Sequence, residues 1–184
     1  MYYQSLSKSL FLRGLQCPKS LWLAKYRPKL KTPPDQLKLA LFKAGSEVGR
    51  LAQKLFPKGQ EIKFEGSTFT QKLELSQKYI KDKVKNIYEA TVKFNDVLAM
   101  IDILHLGPDG WEIYEVKSST GEKEVIIDDI AVQYYVLSGL GLPVSKACLV
   151  HINNQYVREK KLDIKQLFKI VDLTETVKEK QPFV

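Results

Sequence analysis

The sequence predicts an α/β or α+β sandwich, with helices packed on a mixed sheet, and three observations carry that prediction. Apolar residues recur at helical spacing over residues 37–55, switch to strand-like alternation from Ile87, and return to a helical pattern around residues 128–140 ahead of another apolar run. Strong turn sequences, Asn95-Asp96 and then Gly107-Pro108-Asp109-Gly110, punctuate the strand-like stretch. The 184 residues, 44% of them hydrophobic, suffice for one sizeable core in one domain, and no internal repeat is present.

The elements follow in order. Ser7 is placed to cap a short helix through Gln16, and Pro18 to open a second through Tyr26. The stretch from Lys29 to Pro34 breaks the pattern. Asp35 then caps a longer helix in which Leu37, Leu41, Ala44, Val48, Leu51 and Leu55 share a face, until Pro57 and Gly59 stop it. Thr70 opens a helix running towards Asn86. Ala90, Val92 and Phe94 mark a first strand, Val97 to Leu106 a second and Trp111 to Lys117 a third. A polar loop from Ser118 to Lys123 leads to a helix around Asp128 to Leu140, closed by Gly141 and Pro143. A buried strand from Ala147 to Ile152 and a final helix around Asp163 to Val171 complete the chain.

Charge is unevenly distributed. The chain carries 29 Lys and Arg against 21 Asp and Glu, a formal charge of +8. Residues 1–63 hold 13 basic side chains against only Asp35, Glu47 and Glu61, so the whole surplus is N-terminal. Lys8, Arg13, Lys19, Lys25, Arg27, Lys29 and Lys31 all precede the first acid, which suits a surface for a polyanion; the alternative is a merely solvated face. No apolar stretch approaches the ~18 residues of a membrane span. The N-terminus also lacks a sustained apolar region for export, since Arg13 follows Leu10-Phe11-Leu12, so a cytoplasmic protein with no membrane partner is expected. Cys17 and Cys148 stand far apart without a CxxC pattern, which argues for reduced thiols and against a self-contained zinc site. His105 and His151 have no partner nearby in sequence and read as core or edge histidines.

The Gly-rich turn permits a register prediction. If it closes at Gly107 and Gly110, paired residue numbers sum to 217, and Asp102 faces Glu115 across the hairpin. Glu115 and Lys117, two apart, lie on one side with Asp102 across the hairpin from them, so three charges meet on one small patch. An unpaired carboxylate is costly in the apolar run that holds Asp102, so something must neutralise the two acids. A hard divalent cation such as Mg²⁺ would do so, with the backbone carbonyl of Val116 as a further ligand and Lys117 beside the attacking water or a phosphoryl oxygen. That set suits phosphodiester hydrolysis. The alternative is a salt-bridge triad in which Lys117 pairs with both acids and no metal binds.

An Asp on one strand and Glu-Val-Lys on the next, within the order helix, three strands, helix, strand, resembles the PD-(D/E)XK nuclease superfamily. Its RecB-type branch, which includes CRISPR-associated exonucleases, is the nearest resemblance. Gln133 in Asp129-Ile130-Ala131-Val132-Gln133-Tyr134-Tyr135 looks like that branch's Gln/Tyr motif, with Leu137 where the Tyr is expected and Tyr134 or Tyr135 as substitutes. Leu6-Ser7-Lys8-Ser9, Gly14-Leu15-Gln16-Cys17-Pro18-Lys19 and His151-Ile152-Asn153-Asn154 with Tyr156 also resemble an uncharacterised bacterial family whose longer members begin with a RecB-like domain.

The resemblance implies a restriction-endonuclease-like core over residues 35–172, preceded by a basic helical region over 1–34, in a single domain spanning 1–184. It implies Asp102 and Glu115 as metal ligands, Lys117 as the catalytic lysine, Gln133 near metal and phosphate, and Glu47 as the additional acid from the helix before the sheet. The activity implied is Mg²⁺- or Mn²⁺-dependent hydrolysis of DNA, in repair, recombination or defence. Some relatives hold an iron–sulfur cluster, and Cys17 stands where its first ligand would be; the other three thiolates are missing, so no cluster is expected. Two alternatives stay open: a nucleic-acid-binding module that needs C-terminal parts absent from this chain, and a metal-free structural domain.

Overall fold

The computed structural model describes residues 5–63 and 65–184. Within them, seven α-helices surround a mixed, open sheet of seven strands. Strand β1 (Leu6–Ser7) leads directly into α1 (Lys8–Gln16), which Ser7 caps by accepting a hydrogen bond from the Leu10 N–H. Helix α2 (Pro18–Tyr26) follows, with proline in its first turn, and then a 3-10 turn at Pro28–Leu30. Asp35 caps α3 (Gln36–Ala52), and β2 (Gln60–Glu61) joins the sheet edge.

Helix α3 corrects the sequence reading. Of the apolar series predicted to share a buried face, only Val48, Leu51 and Leu55 pack, around buried Ala52. Leu37 and Leu41 are 72% and 62% exposed, and Ala44 is exposed too. The helix packs on β5 with its second half, and residues 36–44 of its first half are exposed.

Helix α4 (Phe69–Lys81) is also displaced from its prediction. Thr68, not Thr70, supplies the cap, in a reciprocal capping box with Gln71. The helix stops at Asp82 and Lys83, the latter at φ 54°, five residues short of Asn86, because Asn86 already belongs to β3 (Asn86–Phe94). Strands β4 (Val97–Leu106) and β5 (Trp111–Lys117) have the predicted bounds. Asn95 and Asp96 both adopt positive φ, the geometry a two-residue hairpin turn demands. Helix α5 (Glu124–Gly139) starts four residues earlier than expected, and β6 (Val144–Ile152) three earlier.

The predicted final helix is divided between a short helix and a strand. Only Ile164–Leu167 is helical (α6); Phe168–Asp172 forms β7, antiparallel to β6, and a further helix α7 (Thr174–Glu179) follows. The free edge of β6 decides this: a five-residue apolar-polar segment too short to be a stable helix alone gains a ladder there.

The strand order is β2-β3-β4-β5-β6-β7, with β5 and β6 parallel across the α5 crossover. One core joins the sheet to α5 and α7 through Ile113, Ile130, Val136, Leu149 and Val177; a second lies on the other face around Tyr88, Ile103, Tyr114, Val150 and Phe168. Cys148 is buried in the second core, where burial first, then Asp172 and Glu112, push its thiol up to about 12. Cys17 is exposed and free. No helix among the described residues is long and apolar enough to cross a membrane.

Candidate active site

The hairpin register sums to 217 at all four observed β4–β5 pairs, from Leu106↔Trp111 to Ile103↔Tyr114. The ladder then stops. The next pair would be Asp102 with Glu115, and it does not form; the Val116 N–H instead donates to Asp102 Oδ2 at 2.7 Å. The expected cross-strand pair is therefore a split in the sheet. A strand residue's N–H and C=O point the same way, so the Val116 carbonyl also faces the β4 side.

Strand β3 shows the same interruption. Its pairs with β4 include Tyr88↔Ile103 and Ala90↔Ile101 but skip Glu89 opposite Asp102. Glu89 sits at φ 57°, and the alternation of side chains slips there. Ala99 and Ile101 belong to the core built with α5, and so does Leu104, whereas Ile103 belongs to the other. Three carboxylates, Glu89, Asp102 and Glu115, thus form a row across three strands at the one level where both ladders lapse. Glu89 was legible in sequence, because extending the Phe94↔Val97 register along the first hairpin sets it opposite Asp102.

On one side of this row lies a cavity of about 560 Å³. Its walls include Gly45, Ser46, Gly49 and Arg50 of α3, Glu61 of β2, and Glu89, Asp102, Val116 and Lys117 of the central strands. Burial, and then the charge of Glu115, push the Asp102 carboxyl up to about 8. Glu89 is raised too, again by burial first and Glu115 second. Glu47 is exposed and stands outside this wall.

On the other side, Glu115 is 2% exposed and held in a closed ring of charge. Lys8 Nζ lies 3.1 Å from Glu115 Oε2 and 2.8 Å from Asp129 Oδ1. Lys117 Nζ contacts Glu115 Oε1 and lies 2.7 Å from Asp129 Oδ2. Gln133 Nε2 donates to Glu115 Oε2 at 2.6 Å, while the Gln133 side-chain carbonyl oxygen is buried without a partner among the described residues. Two ammoniums and two carboxylates make the ring neutral. Burial alone would raise Glu115, but Lys8 and Lys117 outweigh it and bring it down to about 2. Both lysines sit above their ordinary range, because Glu115 and Asp129 overcome the lowering effect of burial.

Lys8 corrects its sequence reading: it is not a surface contact for a polyanion but a member of this ring. β1 pairs with β4 at Val97 and Leu98, on the edge that β5 has left, so α1 begins beside the split and Lys8 turns into it. Asp129 was missed, although it lies one helical turn before Gln133 on the same face. Nothing local to Lys8 announces its partners, which are 107 and 121 residues away.

The other predicted residues lie elsewhere. Arg13, Lys19 and Arg27 are exposed on α1, α2 and the following turn, and Lys25 is half-buried. Arg13 donates to Ser20 Oγ, and Arg27 lies over the Trp22 ring. Tyr135 accepts from Asn95 at the β3–β4 turn and stacks edge-on against Phe94, and Tyr134 packs on the α5 core. His105 contacts the Asn86 amide, while buried His151 engages its neighbour's carbonyl, Ile152 O. In register, His151 is beside Lys117.

No protein-family model matches this chain, and no curated protein is similar to it in sequence. The site's own donors are therefore the guide. Those at the cavity are oxygens, the three carboxylates of Glu61, Glu89 and Asp102 and the peptide carbonyl of Val116, the chemistry that Mg²⁺ and Mn²⁺ prefer. Among the described residues, no three His, Cys, Asp or Glu side chains are gathered into a metal-binding group, and both oxygens of Glu115 are occupied by nitrogen donors. The excess negative charge at Asp102 and Glu89, which burial and Glu115 force towards protonation, fits a cation on the cavity side.

Proposed function

We propose that this protein is a Mg²⁺- or Mn²⁺-dependent nuclease that hydrolyses phosphodiester bonds in DNA, similar in design to the PD-(D/E)XK superfamily. The observation that carries the proposal is the row of Glu89, Asp102 and Glu115, at a break in both ladders, beside Lys117 and an open cavity. Asp102, Glu115 and the Val116 carbonyl would hold the metal, with Glu89 in the supporting place assigned on sequence to Glu47. When bound, the ion supplies Lewis acidity and an acidified water.

The chain's own residues do the rest. The Val116 N–H fixes Asp102 Oδ2, and Asp102 lines the cavity. Lys117 lines the cavity as a full cation, held so by Glu115 and Asp129, and offsets charge that develops on a phosphoryl oxygen. Gln133 orients Glu115. The exposed Arg13, Lys19 and Arg27, with Arg50 on the cavity wall, supply attraction for the phosphate backbone.

One observation favours a second reading, a nucleic-acid-binding module without turnover: the neutral ring leaves Glu115 no free oxygen. Incubation with labelled linear and circular DNA, in Mn²⁺ or in EDTA, separates the two. Metal-dependent cleavage that Asp102→Ala abolishes is the expected result. Undiminished cleavage by purified Asp102→Ala would sink the nuclease mechanism, and salt-sensitive binding without cleavage would favour the module.

A further inference from the structure

The three donors that occupy Glu115 are not equally anchored. Gln133 is fully buried within α5, and Lys117 belongs to the same strand as Glu115. Lys8 is the first residue of α1, a helix with no fully buried residue that is joined to the sheet by the two-residue strand β1 and rests on α5 and β4. Of the three, Lys8 alone sits on an element that can leave without dismantling the core, since regions with few buried contacts open at low cost. It is also the donor whose departure takes the ammonium from Oε2 of Glu115 and Oδ1 of Asp129 together, leaving only the neutral Gln133 amide on those oxygens.

We propose that Lys8 is a latch on this site. Its ammonium holds the place of a cation between Glu115 and Asp129, and it must withdraw, with the start of α1, before Glu115 can ligate a divalent ion. Metal entry and release of α1 are then one event. Charge explains the exclusivity: an ammonium and a dication repel at a shared carboxylate oxygen, whereas replacing one by the other keeps Glu115 compensated. The surplus positive charge is absorbed by Asp102 and Glu89 across the row. This inference rests on the metal-dependent reading above.

Two measurements test it. Mn²⁺ titration by calorimetry compares the native protein with Lys8→Met, Lys8→Arg and Asp102→Asn, and hydrogen exchange follows the α1 amides with and without Mn²⁺. A latch closed most of the time lowers apparent affinity by its open fraction, so Lys8→Met should bind Mn²⁺ at least about tenfold more tightly, and Lys8→Arg no more tightly than the native protein. Mn²⁺ should also speed exchange of the α1 amides in the native protein. Equal or weaker binding by Lys8→Met, with binding lost in Asp102→Asn, overturns the latch and leaves the metal site standing. Absence of Mn²⁺ binding from both the native protein and Lys8→Met overturns the metal reading and the latch with it. If Lys8→Met does not fold, the native exchange experiment decides alone: α1 exchange unchanged or slowed by Mn²⁺ overturns the latch.

Discussion

Two sets of carboxylates share one level of the sheet and are treated in opposite ways. Glu115 and Asp129, towards α5, are matched by Lys8 and Lys117, so that every carboxylate oxygen has a donor. Asp102 and Glu89, at the cavity, have a single backbone N–H between them among the hydrogen bonds described, and both are pushed towards protonation. The compensated set behaves as structure, since its charges cancel within the fold, even though burial and then Glu115 raise the Asp129 carboxyl as well. The uncompensated set stores unfavourable electrostatics that a cation would relieve, and such strain is what a binding site needs and a scaffold does not.

The comparison can be broken from the cavity side first. Asp102→Asn should lower Mn²⁺-dependent DNA cleavage by at least about a hundredfold, the scale on which removal of one electrostatic stabiliser acts, with an unchanged circular-dichroism spectrum. A loss of fold would instead assign Asp102 to the scaffold.

On the compensated side, stability should suffer more than chemistry. Asp129→Leu leaves a buried ammonium short of a partner and should cost about 3–5 kcal/mol by urea unfolding. Lys8→Met, Asp129→Leu together should cost less than the sum of the two single changes, because the double variant removes one charge of each sign. Additive costs would show that the ring is not a unit.

Asp102 and Glu115 should also respond oppositely to pH when no divalent ion is present. Asp102 has its carboxyl raised from 3.8 to about 8 in the folded protein, so the folded state holds a proton the unfolded chain has released; this contribution is full below about pH 4 and is lost as pH rises through about 8. Glu115, lowered from 4.5 to about 2, contributes above about pH 4.5 and loses that contribution as pH falls towards 2. Urea midpoints of the native protein should therefore decline from about pH 5 to about pH 8, and Asp102→Asn should flatten that decline. An equal decline in Asp102→Asn would remove Asp102 as its cause. The smallest effect is expected at the cavity wall: Arg50→Gln should change stability by no more than about 0.5 kcal/mol, yet reduce the salt dependence of DNA binding by about one phosphate contact.

The sequence by itself determined what local chemistry controls. Ser7, Pro18 and Asp35 set helix starts, the Gly107–Gly110 turn fixed the β4–β5 register, and Glu115 and Lys117 were placed two apart on one strand face. Only the tertiary structure decided which donor meets which acid. Long-range neighbours carry no local signature: β1 takes the edge of β4 that β5 abandons, which turns Lys8 from a member of a basic surface into the partner of Glu115 and Asp129. The same holds for Phe168–Asp172, whose strand state depends on the free edge of β6, and for the uncovered half of α3, whose periodicity is helical whether or not a sheet lies beneath it. Periodicity and turn residues act over a few bonds, whereas pairing partners and burial depend on segments that only folding brings together.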